Sequence, residues 1–143
     1  MNSVNGRGAK HYRQVAVQSG VVGANPHRLI QMLLAGALEK LAVAKGNMER
    51  GEIATKGRNI GLAISIIDGL KGSLDHEKGG EIAKNLDGLY EYMAFTLVQA
   101  NVKNESAMLD EVAALLLEIK GAWDTIPAEF QKIAMNSGEG TLL

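Results

Sequence analysis

The sequence predicts an all-α protein, an antiparallel up-down-up-down four-helix bundle with a short N-terminal helix or strap. Three observations lead there. Only two prolines occur, Pro26 and Pro127, and between them lie about a hundred residues free of the strongest helix breaker. Within that stretch apolar residues recur at spacings of three and four, the period of one helix face. Breaks containing glycine or asparagine then interrupt the pattern about every 20 to 25 residues, a usual length for bundle helices. With 143 residues, 46% hydrophobic and 22% charged, the chain has the size and composition of one domain with a real core.

Residues 1–24 read as a basic, flexible N-terminal arm or lid, within which 8–18 form the short helix or docked strap. Asn25-Pro26 opens the first helix: Asn can cap free backbone N–H groups, and Pro suits the first helical position. Ile30, Leu34, Ala37, Leu41, Ala44 and Met48 form its stripe, and Gly51 ends it. A second helix, about 52–74, aligns Ile53, Ile60, Ile64, Ile67 and Leu74; residues 75–80 turn. A third, about 80–101, aligns Ile82, Leu86, Leu89, Met93 and Ala100, and 101–104 turn again with Asn104 as a cap. The fourth, about 105–124, aligns Leu109, Val112, Leu116, Ile119 and Trp123. The bundle therefore spans 25–126, and residues 127–143 read as a partly disordered tail. Gly57, Gly61, Gly69 and Gly72 all fall in the second helix. Each costs about 1 kcal/mol relative to Ala, so this helix is expected to be the least stable.

Several function classes are excluded on composition and spacing. Residues 1–38 carry Arg7, Lys10, Arg13 and Arg28 and no acidic residue, a net +4 that leaves −5 for the remainder of a chain of net charge −1. Four cations without interleaved aromatics make a weak nucleic-acid footprint, and the acidic body opposes it, so no nucleic-acid partner is expected. No apolar run is long enough for membrane insertion and no secretory leader is visible, so a cytoplasmic location is expected; the absence of cysteine fits it. No Glu-x-x-His pair, phosphate-binding glycine loop or Ser–His–acid set occurs, so neither a catalytic residue nor a metal or other cofactor is expected. His76-Glu77-Lys78-Gly79-Gly80 is the nearest approach to chemistry, a faint likeness to the phospho-acceptor motif of histidine phosphotransfer bundles. Here Lys follows His at two residues rather than three, and Asp75 and Glu77 would repel an incoming phosphoryl group.

The third helix is overloaded. At 100° per residue from Leu89, its core residues fall between about 20° and 80°, whereas Phe95, Val98 and Val102 fall at about 240°, 180° and 220°. Tyr92, at about 300°, borders them. Four helices cannot bury opposite faces of one member, so a partner, the arm or a second copy must cover this one. In the second helix Leu62, Ile66 and Leu70 at i, i+4 and i+8 widen the apolar arc in the same way. The expected partner contacts are therefore Leu62, Ile66, Leu70, Tyr92, Phe95 and Val98. Asn101 is expected to steady the turn between the third and fourth helices. Beyond a ligand-binding bundle, a self-associating helical adaptor, homodimeric without its client, remains open.

The run from Ala63 to Met93, with Leu74-Asp75, Gly79-Gly80 and Leu89-Tyr90-Glu91-Tyr92-Met93, resembles the FliS family of flagellar secretion chaperones. So do residues 25–33, Ala100-Asn101, Trp123 and Tyr12, covering about 10–125 in the same order. The resemblance implies a cytoplasmic, non-enzymatic bundle that binds the disordered C-terminal segment of flagellin and prevents its premature polymerisation. It also implies delivery to the flagellar type III export apparatus, with an export-gate component as further partner, and an N-terminal segment that occupies part of the site without client, so Tyr12, Val15 and Val17 are expected to form a competing lid.

Overall fold

Four helices account for almost all of the computed structural model, which describes residues 25–126 and the short pairs 135–136 and 141–142. Helix α1 (Pro26–Glu49) begins as the Asn-Pro pair dictates. Asn25 is extended, its side-chain oxygen accepts the Arg28 N–H at 2.8 Å, and Pro26 needs no partner for a missing donor. Gly51, at φ +72°, supplies the left-handed residue that turns the chain into α2 (Ile53–Gly72). Helix α3 (His76–Lys103) and α4 (Ser106–Asp124) complete the bundle. Met135–Asn136 (β1) and Thr141–Leu142 (β2) form a two-residue antiparallel pairing after it.

Consecutive helices pack on one another, and α4 closes the ring against α1. Cross-links fix the alternating direction. The end of α2 meets the beginning of α3 through Lys71 and Asp87 at 3.2 Å, and late α1 meets early α4 through Lys45 and Asp110 at 2.9 Å. The end of α4 meets the beginning of α1, where Trp123 Nε1 donates to the His27 carbonyl at 3.0 Å. This is the up-down-up-down arrangement that the periodicity predicts.

Two boundaries differ from expectation. The 75–80 segment is not all turn: Asp75 accepts the N–H groups of Glu77 and Lys78 at 3.1 and 3.0 Å and caps one helical turn. That turn is kinked at Gly80, whose φ of 51° and ψ of −126° no side-chain-bearing residue adopts cheaply. The 101–104 segment remains helical to Lys103, and Asn104 (φ 57°, ψ 45°) closes α3 rather than opening α4.

Lys56 explains the longer helix. It is buried, and its ammonium donates to the Asn101 carbonyl at 3.1 Å and to Asn104 Oδ1 at 2.9 Å. A cation at a helix C-terminus satisfies carbonyls that would otherwise be orphaned and matches the negative end of the dipole. Asn101 thus does hold this corner, by its backbone. Beside it Asn59 donates to Asn47 at 2.9 Å, and Asn47 donates to Glu52 at 2.8 Å. This end of the bundle is bound by polar contacts.

Between the ends the core is aliphatic. Leu34, Ala37, Ala44, Ala63, Met93, Leu97, Val112 and Leu116 are fully buried. Two residues assigned to core stripes are not there: Ile53 and Ile82 are both 60% exposed. Ile53 opens α2, so no preceding turn shields it, and Ile82 stands at the rim of a gap between helices.

Candidate binding surface

Helix α3 does present two apolar faces. Tyr90, Met93, Leu97 and Ala100 are buried against the other helices, while Phe95 is 63% and Val102 75% exposed, and Val98 is open to solvent beside them. The orientation follows from the neighbours. Tyr92 donates its hydroxyl to the Glu111 carboxylate of α4, and Asn101 approaches α2 near Gly57. Phe95 and Val102 lie between those two directions and point away from the bundle. The bond to Glu111 also pushes the Tyr92 phenol above its usual range, so it stays a donor at neutral pH.

The α2 stripe behaves differently. Leu62 is 43% exposed, but Ile66 and Leu70 belong to the core, with Leu70 only 1% exposed. They cannot offer open surface to a partner as expected. The geometry is simple: each step of four residues turns the stripe by about 40°, so two steps carry it from solvent under the next helix. Ile66 Cδ1 lies 3.7 Å from where a Cβ on Gly36 would stand, which shows how closely α1 covers it. Tyr12, Val15 and Val17 lie outside the described residues.

A second apolar feature has no counterpart in the sequence reading. A groove of about 350 Å³ opens at the end where α1 starts and α4 stops. Ile30 and Leu34 form its floor; Ile82, Leu86 and Tyr90 line one wall, Ile119, Trp123 and Ile126 the other. Glu118 is the one charged lining residue among those described. Burial in these surroundings pushes the Tyr90 phenol strongly upward and keeps it neutral.

Trp123 is shared between this groove and His27. The two rings stack with centroids 4.6 Å apart and planes 14° from parallel. His27 is buried, and neither ring nitrogen has a hydrogen-bond partner among the described residues. Desolvation lowers its pKa, partly offset by the Asp124 carboxylate. Periodicity marked Trp123 only as a core residue; a neutral, stacked histidine at a helix start has no sequence signature.

His76 lies 3.9 Å from the Asp87 carboxylate, which also pairs with Lys71. The Lys71–Asp87 pair is a structural contact between α2 and α3, and it adds nothing to a phosphotransfer reading. Among the described residues there is no group of three or more His, Asp or Glu arranged to hold a metal, and no helix long and apolar enough to cross a membrane.

Among the described residues, the four-helix bundle leaves one apolar helix face uncovered and one apolar groove open. The family model for flagellar protein FliS matches residues 8–129, and the chain belongs to that family. Curated relatives agree. The flagellar secretion chaperone FliSB of Pseudomonas aeruginosa is 58% identical over 117 residues, 82% of this chain and 93% of the relative. The flagellar secretion chaperones FliS of Salmonella typhimurium and Vibrio cholerae are 48% and 47% identical, over 87% and 85% of this chain and 95% and 90% of the relatives.

Proposed function

We propose that the protein is a cytoplasmic export chaperone for the disordered C-terminal segment of flagellin, and that the outer face of α3 holds this client. The observation that carries the reading is the exposure of Phe95, Val98 and Val102 on one helix whose opposite face is core. Leu62 reaches the level of Phe95 along α2, but five residues also turn it about 140° from Gly57, which faces α3, so it stands on the side towards α1 and apart from the Phe95 face. Tyr92, held by Glu111, forms its polar edge.

Covering each large apolar side chain is worth roughly 1.5–3 kcal/mol, enough in sum to offset part of the ordering cost of an unfolded segment. A bound segment is thereby kept from self-assembly and is passed to an export-gate component of the flagellar type III apparatus. Tyr12, Val15 and Val17 compete for the same surface as a lid when no client is present. No bond is made or broken in this cycle, so the role is non-enzymatic.

Phe95→Glu tests the reading. Titration with a flagellin C-terminal peptide should show binding lost, while helix content and melting temperature stay near those of the parent. Unfolding of the variant would instead place Phe95 in the core and remove the basis of the proposal. A homodimer through this face would appear in light scattering as a mass that halves when the peptide is added.

A further inference from the structure

We infer that the groove between α3 and α4 is a docking site for the chain's own C-terminal segment, residues 127–143, seated through Phe130 and Ile133. The inference is independent of where the flagellin client binds.

Three observations favour this occupant. First, Ile126 is itself part of the groove wall, so the chain enters the segment from inside the groove. Its N–H is held by the Trp123 carbonyl at 3.3 Å, and Pro127 prevents the helix from continuing past it.

Second, the apolar residues come at once. Phe130 and Ile133 follow Ile126 at four and seven residues, on one side of any helical turn formed there. The N-terminal arm also departs near the groove, but its first aromatic residue, Tyr12, is thirteen residues from Asn25. Closing the shorter loop costs less entropy. A phenylalanine between Tyr90 and Trp123 also gains the edge and offset contacts that aromatic groups prefer.

Third, the family model ends at residue 129. Phe130, Ile133 and the β1–β2 pairing lie past the matched span, whereas every residue that lines the groove lies within it.

The sequence supplies its own probe, because Trp123 is the sole tryptophan and there is no cysteine. At a pH where His27 is neutral, truncation after Ile126 should shift Trp123 emission to the red and raise acrylamide quenching several-fold, with helix content retained. Should the truncated chain lose helix, full-length Phe130→Ser/Ile133→Ser is read the same way. In the complementary arm, a nitroxide on Ala134→Cys should quench Trp123 strongly, and one on Ser3→Cys should not. Unchanged emission after truncation, or quenching from the Ser3→Cys label alone, would overturn the inference, the latter in favour of the arm. Quenching that grows with protein concentration would overturn it in favour of a second copy.

Discussion

His27 and Phe95 depart from simple burial rules in opposite directions: one is a polar ring inside with no hydrogen-bond partner among the described residues, the other an aromatic ring outside. For His27 the consequence is a pH dependence of stability. Its folded pKa lies below the ordinary histidine value because burial disfavours the charged ring, so the unfolded chain binds a proton that the folded chain resists. Stability from this site is complete above the unfolded pKa and declines as the pH falls below it. Melting temperatures measured between about pH 7.5 and 5 should fall with acidity in the parent, and more weakly in His27→Phe, which keeps the stacked ring without the titration. Periodicity predicted Phe95 on an outward face because two periodic sets compete within one helix. Nothing comparable marks His27, whose environment comes from α4, almost a hundred residues away in sequence.

Among the elements, α2 carries the least favourable composition. Gly61 lies on its exposed side, with open space where a Cβ would stand. Gly61→Ala should therefore raise stability by about 0.5–1 kcal/mol in denaturant titration, with little change in slope. Gly36 is different: a methyl there meets Ile66 Cδ1 at 3.7 Å, a normal contact that leaves little room for anything larger. The helices themselves were legible because their stripes are long and their first cap is chemically explicit. Their ends were less so. Asn104 resembles an opening cap in sequence, and only the Lys56 ammonium reaching across from α2 makes it the closing residue of α3. The failure of Ile66 and Leu70 as surface residues has a similar origin: a row of every fourth residue drifts, and where it passes under α1 depends on helix crossing rather than on spacing.

Across the whole molecule charge is unevenly divided. Helices α1 and α2 with their connection carry seven basic and four acidic residues; α3 and α4 with theirs carry four basic and nine acidic. The charge of an arm with Arg7, Lys10 and Arg13 and no acid complements the second half, which bears the Phe95 face. Deleting residues 1–15 should accordingly tighten or speed binding of the flagellin peptide, and the gain should shrink as salt rises. Weaker binding after the deletion would make the arm part of the site rather than its competitor.

The hydrogen bond from Trp123 to the His27 carbonyl makes the bundle continuous in space where the chain is discontinuous. The polypeptide enters and leaves at the same corner, so the four helices form a closed circuit whose starting point is a matter of connectivity rather than of packing. A circular permutant joining residues 25 and 126 through a short flexible linker, and opened instead at Gly51, should fold to the same helix content. Circular dichroism and thermal melting of that permutant would show whether the order of the helices in the gene matters to the fold or only their mutual contacts.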